Sequence, residues 1–193
     1  DDEIHKMKIV ALDRLRHKKL IETINNLGAE VILVKEDDLT PTFAVTRGEI
    51  DMIIGVGGVP EAVLSGIIVA QLGGEMTLRV LPYEVALEEH LLGQLKHWDS
   101  FKKNEIDILR NFKIVRPGTE KAGEIPWDRT LTLEDLVKGK DIVFTASVIK
   151  KTPWIKLSDG EEVPGVNINP ESGDINVFVV RVADNNVEIV PIV

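Results

Sequence analysis

Between residues 7 and 82 the sequence alternates short β-branched runs with helical stretches, and this alternation constrains the fold more than any other feature. Met7–Leu12 is an apolar run of strand length. Arg16–Leu27 then places Leu20, Ile21, Ile24 and Leu27 at helical spacing, and Gly28 follows as a stop. Ala29–Val34 reads as a second strand, Leu39–Thr46 as a short helix interrupted by Pro41, and Asp51–Gly55 as a third strand. Pro60–Leu72 reads as a helix opened by proline and closed by Gly73 and Gly74, and Glu75–Leu81 as a fourth strand. Strands separated by helices of this size pair in parallel through right-handed crossovers. The expected fold class is therefore α/β, with a mostly parallel central sheet flanked by helices and antiparallel strands at the C-terminal end.

The remainder completes one domain spanning 1–193, a length that a single core accommodates. Residues 83–98 carry Val85, Leu87, Leu91, Leu92, Leu95 and Trp98 in an amphipathic pattern, and 99–130 is charged. The whole of 83–130 reads as a helical and irregular excursion. Leu133–Val137 forms a short helix behind Thr132, a cap with Asp135 at the third position. Asp141–Thr145 is a further strand. From Trp154 onward, turns at Ser158–Gly160, Asn169–Gly173 and Asp184–Asn186 separate short alternating strands, a hairpin-rich end whose exposed edges would allow pairing into a homo-oligomer.

Composition excludes several classes of function. Lys plus Arg is 23 and Asp plus Glu is 32, a formal net charge of −9. Nonspecific nucleic-acid and anionic-membrane binding need a basic surface, so neither partner is expected; a small anionic ligand needs only a local positive cluster. The apolar run at 62–70 is far shorter than the roughly 20 residues of a spanning helix, and no signal-peptide pattern opens the chain. The chain has no cysteine, which removes disulfides, thiolate metal sites and cysteine nucleophiles and fits a reducing, cytoplasmic location.

In an open parallel sheet, ligands bind beyond the carboxyl ends of the strands. After the first strand comes Asp13-Arg14-Leu15-Arg16-His17, after the second Lys35-Glu36-Asp37-Asp38, and after the third Gly55-Val56-Gly57-Gly58-Val59-Pro60-Glu61. Arg14 and Arg16 offer planar forks for phosphate oxygens. Gly57 and Gly58 leave backbone amides bare in front of a helix N-terminus, which favours an anion. Glu61, in the first turn, could reach a hard cation such as Mg²⁺ or Mn²⁺. Glu36, Asp37 and Asp38 could bind ligand hydroxyls or complete a metal site. Each part alone has a plainer reading: a solvated helix start for the arginines and His17, an ordinary turn for the glycines, a dipole partner for Glu61, a solvated loop for the acids.

Other candidates are weaker. His5, His17, His90 and His97 show no metal-ligand spacing, and Walker, Gly-x-Ser-x-Gly and His-Glu-x-x-His patterns are missing. Pro60 stands where the dinucleotide fingerprint needs its third glycine. Trp98, Trp127, Trp154 and Ser65 read as packing residues.

The segment Ile54-Gly-Val-Gly-Gly-Val-Pro-Glu-Ala-Val-Leu-Ser65, with Leu72-Gly-Gly-Glu-Met76 and Arg79 behind it and Asp13-Arg14-Leu15-Arg16-His17 ahead, resembles the class II fructose-1,6-bisphosphatase family, in some bacteria also acting on sedoheptulose 1,7-bisphosphate. The likeness covers 7–82 well and 131–193 loosely, and corresponds to the C-terminal half of the family's catalytic unit. It implies a sugar-phosphatase-like fold and divalent-metal-dependent hydrolysis of fructose 1,6-bisphosphate to fructose 6-phosphate and phosphate. It implies substrate binding by Arg14, Arg16, Glu36, Asp37, Asp38, Gly57 and Gly58, and a metal role for Glu61 with Mg or Mn.

Three departures stand out. No acidic N-terminal half precedes Asp1, the family's Asp-Gly-Asp has become Glu36-Asp37-Asp38, and its late Gly-rich loop has become Ala146-Ser147-Val148-Ile149-Lys150-Lys151-Thr152. The resulting expectation is a sugar-bisphosphatase-family chain that is incomplete for catalysis on its own. The alternatives are a noncatalytic sugar-phosphate or anion-binding module, and one subunit of a split enzyme.

Overall fold

A computed structural model describes residues 3–35, 39–81, 113–114, 123–124, 130–139 and 141–192. The acidic run 36–38, the expected helix at 83–98 and most of the excursion to 130, with Trp98, Trp127, His90 and His97, lie outside the described residues.

Three strands form the parallel sheet: β1 (Lys8–Leu12), β2 (Glu30–Val34) and β3 (Met52–Ile53), in the order β2-β1-β3. Leu12 is level with Val34 and Val10 with Ile53, so the three carboxyl ends open on one edge. Alternation along the strands sends Ile9 and Val31 to one face, where Ile24 and Leu20 of helix α1 (Lys18–Asn26) cover them. Val10, Ile32 and Val34 point to the other face, against Ala44 of helix α2 (Pro41–Thr46) and Trp154. Gly28 ends α1 at φ 87°, a left-handed position that favours glycine.

Pro41 does not interrupt a helix but begins one. It is the first residue of α2, where the missing N–H costs nothing and the fixed φ is already helical. Helix α3 (Val59–Gln71) has Gly58 as its N-cap, in extended geometry, and Pro60 in its first turn. Gly73 turns the chain away at φ 71°.

The expected fourth strand forms as β4 (Thr77–Arg79) but leaves the parallel sheet. After the short pair β5 (Lys113–Ile114) and β6 (Gly123–Glu124), β7 (Thr130–Thr132) pairs antiparallel with β4. There Leu78 and Val80 pack on Leu131 and Leu136, whereas the neighbouring edge strand β3 is only two residues long. The short helix α4 (Leu133–Leu136) carries the expected capping box: Thr132 caps the N–H of Asp135, and Asp135 accepts from the Thr132 N–H at 3.3 Å.

The C-terminal part is an antiparallel sheet of β8 (Phe144–Val148), β9 (Asn167–Ile168), β10 (Ile175–Ala183) and β11 (Asn186–Ile192), with order β11-β10-β8 and β9 beside β10. β8 starts three residues later than the apolar run suggested, because Phe144 and Val148 are the residues that bury and pin the register. Ala146–Val148 are therefore strand, and the loop behind them begins at Ile149. Asp184 and Asn185, at φ 51° and 59°, form the two-residue turn between β10 and β11.

Helix α2 packs against both the parallel and the antiparallel sheet, and α3 packs beside it against the antiparallel one. Phe43 and Ile68 join Phe144, Val148, Val180 and Val182 in the largest core, and the Phe43 and Phe144 rings meet edge to face at 6.4 Å. Among the described residues no helix is long and apolar enough to cross a membrane.

Candidate functional site

The carboxyl edge of the parallel sheet brings the end of β1 against the loop after β3. Asp13 N–H donates to Val34 O at 2.7 Å, closing the β1–β2 end, and the chain then tightens into a 3₁₀ turn at Leu15–His17. From that turn Arg16 Nε donates to Val56 O at 2.7 Å. Sequence separation of 40 residues is thereby reduced to one hydrogen bond, and Arg16 stands half-buried beside the glycine turn. Arg14 and Asp13 are exposed on the same edge.

His17 departs most from the plain reading of a solvated helix start. It has no exposed surface. Its Nδ1 donates to Leu12 O at 2.8 Å, and the Val56 N–H donates to its Nε2 at 2.8 Å. Val56 O also lies 3.2 Å from Nε2 but already accepts from Arg16 Nε at 2.7 Å, so the shorter contact from the Val56 N–H favours the neutral tautomer with its proton on Nδ1. Burial pushes the imidazole pKa below its usual value; the Leu12 bond opposes this, and the Arg16 and Arg14 charges add to it. Nothing in the sequence marked His17 as buried, because charged Arg16 and Lys18 flank it. The interaction that buries it is nonlocal.

Gly55, Gly57, Gly58, Val59, Pro60 and Glu61 are all exposed, so this edge is an open platform. Gly58 and Glu61 meet directly: the Glu61 carboxylate folds back over the Gly58 α-carbon, and a β-carbon there would overlap its Oε2. That is the position from which an acidic third residue answers the positive end of a helix, here thirteen residues long. The structure thus joins Arg16 to the β3 loop and Gly58 to Glu61, with Arg14 and Gly57 exposed on the same edge. Glu36, Asp37 and Asp38 lie outside the described residues.

The segment after β8 also reaches this edge. Thr152 is buried, and its hydroxyl lies 3.1 Å from the Thr40 hydroxyl, just ahead of α2. Lys151 pairs with Glu162 at 3.0 Å. Ser65 takes up its packing role on α3, with Thr42 Oγ1 donating to its Oγ at 3.5 Å.

A divalent cation does not fit the described residues as a complete site. Hard cations take six or more oxygens, and among the described residues no three His, Asp or Glu side chains gather to hold one. Glu61 is a single carboxylate turned toward its own helix.

Comparison with known proteins bears on the whole chain. Residues 1–192 match the family described as bacterial fructose-1,6-bisphosphatase, glpX-encoded. A class 2 fructose-1,6-bisphosphatase of Haemophilus influenzae is 28% identical over 156 residues, 78% of this chain and 41% of that protein. A D-fructose 1,6-bisphosphatase class 2/sedoheptulose 1,7-bisphosphatase of Prochlorococcus marinus strain MIT 9313 is 27% identical over 184 residues, 94% of this chain and 48% of that protein. One of the same description from Microcystis aeruginosa is 27% identical over 145 residues, 74% and 37% respectively. The chain thus spans between 37% and 48% of the length of these curated relatives.

Proposed function

This chain belongs to the bacterial, glpX-encoded fructose-1,6-bisphosphatase family, and from that premise we propose that it forms the substrate-binding portion of a sugar bisphosphatase. The observation that carries the proposal is the bond from Arg16 Nε to Val56 O, which sets a guanidinium beside the head of α3. A phosphate placed there meets fixed positive charge, amide donors and the helix dipole together. Arg14, Glu36, Asp37, Asp38, Gly57 and Gly58 take the remaining substrate contacts in this reading. Fructose 1,6-bisphosphate is the substrate, in a cytoplasmic enzyme.

Hydrolysis of the phosphate ester by the family chemistry calls for Mg²⁺ or Mn²⁺. Glu61 would give one carboxylate to that cation, and the other ligands would have to come from beyond the described residues. The single domain over 1–193, as one half of a larger catalytic unit, follows from the same reading. The isolated chain therefore binds substrate without turning it over at a useful rate.

Calorimetric titration with fructose 1,6-bisphosphate, alongside a phosphate-release assay with Mn²⁺ or Mg²⁺, tests this. The expected result is saturable binding, weakened about tenfold or more by Arg16→Ala through loss of a charge-assisted contact, with negligible phosphate release. Robust release by the isolated chain, or equal binding by the variant, contradicts it. A second reading, a noncatalytic sugar-phosphate module, is favoured by the missing cation cluster among the described residues. Binding that is indifferent to metal supports it, and metal-dependent binding supports the enzyme portion.

A further inference from the structure

His17 stands where the two loops of the carboxyl edge meet, and the reading above leaves it unused. Its ring bridges two backbone groups that belong to different strands: Leu12 O at the end of β1 and the Val56 N–H beyond β3. Gly55 makes room for it. A β-carbon at Gly55 would stand 3.1 Å from Cε1 and 3.3 Å from Nε2 of the ring, tighter than most side-chain contacts. Val56 is thus held at both of its polar groups from the same 3₁₀ turn, the N–H by His17 and the carbonyl by Arg16.

We propose that His17 is a positioning residue for ligand binding, an imidazole strut that fixes Val56 and through it both the Arg16 guanidinium and the glycine turn leading into α3. The chain of cause is short. The Val56 carbonyl anchors Arg16 Nε and so sets the plane of the guanidinium. The same residue begins the Gly57–Gly58 segment, whose backbone has no side chain to restrain it. Without an acceptor for its N–H, Val56 is free to rotate, and the arginine fork and the turn lose their common reference. A part-buried amide left without a partner also favours opening the loop to water. The proposal rests on the sugar-phosphate reading of this edge for its functional consequence, though not for its structural part.

Two amide replacements separate the strut from general packing. In His17→Gln the side-chain oxygen can reach the Nε2 position and accept from the Val56 N–H. In His17→Asn the shorter amide can replace only the Nδ1 donor to Leu12. Both lose the ring and are expected to melt at similar temperatures. Hydrogen exchange at Val56 through Val59 is measured on the full chain, together with affinity for fructose 1,6-bisphosphate and inorganic phosphate. The expected result is that His17→Gln keeps Val56 protected and binds within about threefold of the wild type, whereas His17→Asn loses that protection and about tenfold in affinity, the scale of one lost hydrogen bond. Exchange and affinity that fall alike in both variants, in step with melting temperature, overturn the proposal. If the wild type binds neither ligand, the sugar-phosphate reading fails; exchange at Val56 then still upholds or overturns the strut.

Discussion

Burial without a charge partner gives His17 a measurable signature. Burial holds its folded pKa below the usual 6.5, so just below 6.5 the unfolded chain binds a proton that the folded chain refuses. Stability from this group is fully present above the unfolded pKa. It declines as pH falls below 6.5 and levels off once the folded pKa is passed. The charged groups acting on the ring are Arg16 and Arg14, from its own turn; the β3 loop presents only backbone of Val56 and the bare Gly55. Urea midpoints at about pH 7.5 and about pH 5.5 for the wild type and His17→Gln check this, because only the wild type loses the linked stability. A wild-type-to-variant difference that stays constant across that interval contradicts the assignment. The residue chemistry at this edge was half legible in the sequence. Arginine forks and bare glycines announce themselves by type, whereas the burial of a histidine between two charged neighbours follows from a partner thirty-nine residues away.

At the scale of elements, the readable features are those whose chemistry is local. The stop at Gly28, the Thr132–Asp135 capping box and the turn at Asp184–Asn185 each depend on a few adjacent residues, and each forms where the sequence places it. Features fixed by distant partners are harder to read. β4 takes β7 as its partner, and β8 slides to Phe144–Val148 so that its two large ends enter the core. Phe43 meets Phe144 there, and Phe43→Ala is expected to cost about 3–5 kcal/mol, as other buried aromatic truncations do. Gly165 is a second such point: a β-carbon would stand 2.5 Å from Ile149 O and 2.9 Å from Lys151 N. Those are backbone atoms, which cannot rotate away as a flexible side chain can. Gly165→Ala should therefore cost about 1–3 kcal/mol, as overpacking does, whereas Gly66→Ala meets only side chains at 3.6 Å or more and should lose nothing. Chemical denaturation of the three variants gives the comparison; equal stability for Gly165→Ala and Gly66→Ala would refute the packing argument.

For the whole molecule, α2 links the parallel and the antiparallel sheet, and the proposed ligand edge belongs to the parallel one. The segment between β8 and β9 is tied to the stretch just ahead of β3. Glu49, after α2, accepts from Arg47 at 2.8 Å and from Lys156 at 3.0 Å, and the Arg47 fork also holds Trp154 O at 2.8 Å. The Arg47 hydrogen bond, with Lys156 adding to it, holds the Glu49 carboxyl down to about 2. Family membership covers nearly the whole chain, while the matched relatives are about twice as long or more. The central claim is that a sugar bisphosphate settles on the edge formed by Arg14, Arg16 and the Gly57–Glu61 segment. Backbone-amide chemical shifts followed by NMR during titration with fructose 1,6-bisphosphate test it most directly. The account predicts saturable shifts concentrated at residues 13–17 and 55–61. Shifts centred instead on the hairpins of 167–192, or none at saturating ligand, would contradict it.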